Sequence, residues 1–395
     1  MGTVRIAANT RATTINEGIH RMPDFDVIVA GAGPAGSTAA RLLAAGGASV
    51  LLVDRETFPR DKCCAGWLGA LALKEFPEFA VKSEAFIESS FKGLLFYTPD
   101  LGQTAAYAEN DPVGYQVKRA VFDAALVDMA REAGAKLLLG DGVAGVVESE
   151  TEVAVATASG KKLTAKLVIG ADGANSFVAR AVGLMQEIEP KDLVVCVNEN
   201  FEIGEDRVTE IFGAERPIHI ALAYKFISGF GWVFPKKSSV TIGIGARNLT
   251  GEKARQRFTE FLSDVQAKGL LPKDAKSSAS KGEAEPAGVV LKAKSLVSKR
   301  VILAGDAGGF VAAASGEGIY PGMLSAKIAA GCVAKALASA DPAPALAEFD
   351  AAWRARLGKY LAMPNVNLAF MLPMIFIDKR VTAKFARGFL FGEKL

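Results

Sequence analysis

The sequence predicts an α/β fold: a parallel βαβ sheet, an inserted antiparallel-sheet layer and a C-terminal helical segment. A strand-like run at 27–30, a glycine turn, an apolar helix at 34–45 and a strand at 49–54 form a βαβ opening. Later stretches around 115–170 and 301–337 return to strands and helices, while the segments between them alternate with the period of strands. The 395 residues exceed the roughly 250 to 300 that one hydrophobic core organises, so a two-part fold is expected. With 50% hydrophobic residues, 23% charged residues and 40 glycines, the chain reads as ordered and rich in tight turns. A net charge of +3 leaves no basic footprint for nucleic acid.

Taken in order, residues 1–25 lack the apolar run of a secretory signal and are expected to be a flexible arm. Residues 26–76, 112–182 and 298–345 make up a discontinuous first domain. It contains a helix at 120–133, a hairpin ending at 168–170, a strand at 301–303 and a helix from about 318 to 337. Residues 77–111 and 183–297 form a substrate domain, with strands expected at 91–97, 193–201, 219–225, 231–235 and 240–246. The Lys-, Ser-, Ala- and Glu-biased stretch 273–288 reads as a solvated loop without chemistry. Residues 346–395 form a basic, amphipathic helical segment. From 352 onward it carries eight Lys or Arg residues against Asp378 and Glu393, and such a surface either packs on the fold or rests on anionic lipid.

No run reaches the roughly 18 apolar residues of a membrane-spanning helix, and 368–377 is interrupted by Pro373. Cys63, Cys64, Cys196 and Cys332 form neither a disulfide framework nor a C-x-x-C pair, which fits a reducing cytoplasm. No metal site is expected, and His20 and His219 are isolated.

The first motif is Gly31-Ala32-Gly33-Pro34-Ala35-Gly36, with Asp54 and Arg55 at the end of the next strand. Gly31 permits the turn, Gly33 lets backbone approach a pyrophosphate, Gly36 lets helix pack on strand, and Asp54 accepts from ribose hydroxyls. This is a Rossmann-type dinucleotide signature that does not choose between dinucleotides.

Further segments carry a resemblance. Gly170-Ala171-Asp172-Gly173 with Ser176 and Arg180, and Gly305-Asp306-Ala307-Gly308-Gly309, resemble the DG and GD motifs of flavoproteins with the para-hydroxybenzoate hydroxylase fold. The resemblance implies FAD. Asp172 and Gly173 would support it, Asp306 would take ribityl hydroxyls, and Gly316, Gly318 and Ile319 would point N–H groups at the flavin ring. Arg119 and the backbone at Val143 would also contact it.

Within that fold the chain resembles the geranylgeranyl reductases, including the digeranylgeranylglycerophospholipid reductases, over about 26–337. Phe58-Pro59-Arg60-Asp61-Lys62-Cys63-Cys64-Ala65-Gly66 is similar to a family loop whose cysteine, here Cys64, lies beside the isoalloxazine; Ala65 stands where glycine is usual. Gly229-Phe230-Gly231-Trp232-Val233-Phe234-Pro235-Lys236 is similar to a family strand whose aromatics line an apolar tunnel, although residue type alone fits a core stripe. The resemblance implies reduction of C=C bonds in a prenyl lipid, diphosphate or quinone. Cys64 would position the alkene or relay a proton, and Trp232 and Phe234 would hold the chain. NAD(P)H or ferredoxin would supply electrons. The same scaffold also serves aromatic hydroxylases, and an electron-transfer flavoprotein is a further alternative, though it would normally bring cysteine-ligated clusters.

Overall fold

The run Phe25–Ala30 has Val27, Ile28, Val29 and Ala30 all buried, so it reads as continuous apolar sequence because both its faces are covered. In the computed structural model, which describes residues 22–185, 188–277, 281–363 and 368–395, this strand lies near the middle of a seven-stranded sheet. The expected N-terminal arm lies largely outside the described residues. Its last two residues belong to the fold, with Asp24 N–H donating to Thr164 Oγ1 at 3.1 Å and Phe25 opening the strand.

Val50–Asp54 and Lys162–Gly170 pair with the first strand in parallel, Lys136–Leu139 adds outside Val50–Asp54, and Val301–Leu303 pairs parallel to Lys162–Gly170. An antiparallel hairpin, Val143–Glu148 and Val153–Thr157, completes the edge. The helix Pro34–Ala45 starts with proline in its first turn, where a missing N–H costs nothing, and packs against the helix Ile319–Leu337.

The second sheet has eight strands. Its central run is Val194–Glu202, Ser239–Arg247, Ser228–Pro235, Ile218–Leu222, Gly93–Tyr97 and Thr104–Ala108. Two expectations are corrected here. The layer is not wholly antiparallel, because Gly93–Tyr97 and Ile218–Leu222 come from different insertions and run parallel. The strand Ile87–Phe91 instead joins Trp67–Gly69 and Gly114–Val117 in a separate three-stranded sheet.

Each face of the large sheet has its own core. On one face Val240, Ile242, Ile244 and Ala246 meet Ala254, Phe258, Phe261 and Val265 of the helix Gly251–Ala267. That helix lies within a segment expected to be mainly strand; its i, i+4, i+7, i+11 apolar stripe is helical in period. On the other face Trp232 and Phe234 meet Phe385 and Phe389 of the helix Lys379–Phe391.

Packing also departs from the expected boundaries. Phe79 and Phe86, and likewise Val290 and Leu296, are buried in the dinucleotide-side core. The C-terminal segment is divided. Phe349, Trp353 and Leu357 of Ala343–Leu361 join that same core, whereas Lys379–Phe391 joins the sheet. An amphipathic pattern states that a helix has an apolar face but not which neighbour covers it.

Candidate functional site

Two cavities meet in the interior. The polar one, about 600 Å³, lies where the parallel strands end and the helix Pro34–Ala45 begins. Gly31, Gly33, Pro34, Ala35, Asp54, Arg55, Cys64, Arg119, Val143, Asp172, Gly173, Gly305, Asp306, Gly316, Gly318 and Ile319 all line it. Gly36 does not. It sits below the turn, where an added Cβ would lie 1.7 Å from the Gly31 carbonyl oxygen. Gly31 itself has φ of 99°, a conformation that strains any residue with a side chain.

Several polar groups in this cavity act on the loops. Asp54 accepts from Ala32 N–H at 2.6 Å and from Glu56 N–H at 2.8 Å, which ties the glycine turn to the second strand. Asp172 accepts from the Ser176 hydroxyl and from Phe177 N–H at 2.7 Å, so its carboxylate caps the short helix Phe177–Ala181. Arg119 is bidentate to Asp123, with both bonds at 2.8 Å. Burial opposes its charge, but Asp123 and Cys64 outweigh that and hold the guanidinium more firmly protonated than usual. Arg60, named in the family-like loop but given no role there, shares Asp123 at 3.0 Å. Its Nη1 is buried without a partner, and its Nη2 lies 3.6 Å from where a Gly33 Cβ would stand. A buried, half-satisfied guanidinium beside a glycine turn suits the phosphates of a dinucleotide. The cavity and this orphaned donor fit FAD.

The apolar cavity, about 480 Å³, is lined by Cys64, Phe230, Trp232 and Phe234 as expected, and also by Trp67, Phe385 and Phe389; Ala65, expected at the cofactor, lines this cavity and not the polar one. Trp67 stacks on Phe389 with centroids 5.6 Å apart and planes 16° apart, and meets Phe234 edge-on at 6.4 Å. Trp232 fits because Gly243 lies opposite; an added Cβ there would come within 2.3 Å of the indole. Ala65 causes no strain, since the positive φ of this loop, 81°, falls on Gly66. Gly66 lines neither cavity and fixes the loop by accepting from Val117 N–H at 2.8 Å.

Cys63, Cys64, Glu285, Gly316, Gly318 and Ile319 line both cavities and mark their junction. Cys64, half-buried, accepts from Gly66 N–H at 3.3 Å. Behind it Lys236 is buried and bonded to Thr241 Oγ1 at 2.5 Å; burial pushes its ammonium down to about 8, with Cys64 opposing. Glu317 accepts from Tyr320 N–H at 2.9 Å and from the Tyr360 hydroxyl, and burial pushes its carboxyl up to about 7.

The stretch expected to be a loop without chemistry supplies Glu285. There the strand Lys281–Glu285 pairs with Val194–Glu202 and carries the carboxylate to the junction. Nothing in the local sequence marks that strand. The Phe385 and Phe389 pair was legible only as one face of an amphipathic helix.

Comparison with known proteins agrees with this geometry. The FAD binding domain family matches residues 24–344. A digeranylgeranylglycerophospholipid reductase of Methanocella arvoryzae is 30% identical over 350 residues, covering 86% of this chain and 85% of that protein. Among solved structures, a geranylgeranyl bacteriochlorophyll reductase-like protein from Thermoplasma acidophilum superposes with a TM-score of 0.75 at 24% identity, covering 85% and 84% of the two chains. A myxobacterial chondrochloren halogenase shares the fold at a TM-score of 0.68 and 20% identity, covering 93% of this chain and 97% of that one.

Proposed function

This chain belongs to the geranylgeranyl reductase family of FAD-dependent oxidoreductases, and from that premise we propose that it saturates C=C bonds of a geranylgeranyl or related prenyl chain. The single observation carrying the proposal is the meeting of an aromatic-walled apolar cavity with the dinucleotide cavity at Cys64.

Bound FAD, once reduced, supplies a hydride. An isolated alkene has no carbonyl to hold negative charge, so a proton must lead or accompany that hydride, and positive charge builds on the more substituted carbon. Trp67, Trp232, Phe234 and Phe389 exclude the water that would trap this charge, and their ring faces stabilise it. Cys64 positions the reacting bond at the junction. Arg60, Arg119 and the glycine turns would hold the nucleotide, and the N-terminus of Ile319–Leu337, which lines the same cavity, would favour negative charge on the flavin.

Substrate enters from a lipid surface. Phe226 and Met363 line the apolar cavity and are exposed, and Phe370 and Ile377 on the helix Leu368–Ile377 are 77% and 76% exposed. Lys379, Arg380 and Lys384 follow on the next helix, where they can meet anionic headgroups. Among the described residues no helix is long and apolar enough to cross a membrane.

Chemically reduced holoenzyme is to be incubated with prenyl diphosphate, prenyl lipid and prenylquinone mixtures and the products weighed by mass spectrometry. Gains of two mass units per bond are expected; unchanged masses in all three classes reject the proposal. Stopped-flow reduction by NADPH and by reduced ferredoxin identifies the electron donor.

A further inference from the structure

We propose that Glu285 is the proton donor for the C=C reduction; this rests on the prenyl-reductase reading above. It is the only carboxyl among the described residues that lines both cavities. The other acids nearby are committed or displaced. Glu317 has its oxygens engaged by Tyr320 N–H and Tyr360, and Asp306 lines only the polar side. Glu285 has no side-chain hydrogen bond to any described residue, and its strand is paired to Val194–Glu202. It is therefore a half-buried carboxyl on a paired strand, without a hydrogen-bond partner and at the junction of the two cavities.

Its surroundings favour the neutral acid. Burial has the largest effect and the Asp306 carboxylate adds to it; Lys62 and Arg119 oppose, and the balance is pushed up to about 7. Cys63 and Cys64 face the same junction, and Cys196 faces the apolar cavity on the neighbouring strand. Filling the cavities with flavin and a prenyl chain removes more water and strengthens the same preference. A carboxylic acid kept neutral near physiological pH is what an alkene with no activating group requires of its acid.

The step balances as follows. One π bond is consumed and two C–H bonds form. The proton leaves the Glu285 carboxyl for the less substituted carbon. The electron pair arrives with the second hydrogen as hydride from reduced flavin, which is left oxidised. The Glu285 carboxylate regains its proton from solvent through the polar cavity.

The test uses flavin-loaded protein, geranylgeranyl diphosphate as probe, and the variants Glu285→Gln and Glu285→Asp, each checked for flavin content and substrate affinity. In single turnover the wild type should slow as pH rises through about 7 and should slow in deuterated solvent. Glu285→Gln should react roughly 100-fold slower or worse and lose that pH dependence. Glu285→Asp should keep the profile at a reduced rate. Independently of turnover, infrared difference titration of the oxidised holoenzyme should show carboxylic C=O intensity from Glu285 and Glu317 that disappears near pH 7, and Glu285→Gln should lose the Glu285 part of it while Glu317→Gln keeps that part. An unchanged rate and pH profile in Glu285→Gln overturns the assignment. A wild type whose Glu285 band titrates but which reduces no prenyl chain overturns the reading beneath it instead.

Discussion

The polar cavity is built mainly from backbone and the apolar cavity mainly from side chains, and the difference governs how each would fail. Around the nucleotide, the shape comes from glycines at 31, 33, 305 and 316, from a helix N-terminus and from carboxylates that tie loops together. Around the apolar cavity, it comes from rings contributed by three separate stretches near residues 67, 232 and 389, held by packing. Backbone sites tolerate almost no added atoms. Side-chain sites degrade in proportion to what is removed.

The largest expected effect breaks the first site alone. Gly36→Val forces a side chain against the Gly31 carbonyl, where even a Cβ would sit at 1.7 Å, and should cost more than about 4 kcal/mol. The purified protein should be colourless or insoluble; normal flavin absorbance per chain would contradict the account of the turn.

Trp232→Ala breaks the second site. Removing a ring 6% exposed should cost about 3–5 kcal/mol in denaturant unfolding, with flavin retained and prenyl reduction abolished. Loss of flavin here would show that the two cavities are not separable.

Glu317, at the edge between them, sharpens the comparison through pH. Its folded carboxyl titrates near 7 against 4.5 for the free group, so the folded state holds the extra proton between those values. Stability is fully present below about 4.5 and falls as pH rises through 7, by about 3 kcal/mol for this group. Glu317→Gln should flatten that part of the melting temperature against pH curve, and an unchanged slope would rule out its burial as the cause.

Arg60→Met gives the smallest effect. Asp123 keeps Arg119 as its partner, so folding should hold while FAD binds roughly 10- to 100-fold more weakly by fluorescence titration, worth about 1–3 kcal/mol. Unaltered affinity would place Arg60 away from the nucleotide.

Legibility in the sequence follows the same division. The helix expected at 34–45 forms as Pro34–Ala45, and the stretch around Arg119 opens Arg119–Glu132, because turn glycines, caps and helical periodicity act over a few residues. Cys64, Trp232 and Phe234 could be placed at an apolar site through family motifs, but Trp67, Phe389, Arg60 and Lys236 could not, since each acquires its role from neighbours distant in the chain. The stretch 273–288 departs from the expected loop for the same reason. Its polar composition suits a loop, and pairing with the distant strand Val194–Glu202 makes it an edge that carries Glu285 to the cavity junction.

From the order of its residues alone, this chain specifies a dinucleotide turn and the strands and helices around it, because those features depend on backbone conformation and short-range spacing; the flavin follows from the resemblance of its further motifs to those of a known family. Which rings share a wall, which arginine lies beside the glycine turn and which acid stands at the junction of the two cavities were settled by folding. Contacts between segments hundreds of residues apart arise from packing and desolvation, and neither leaves a local pattern to read.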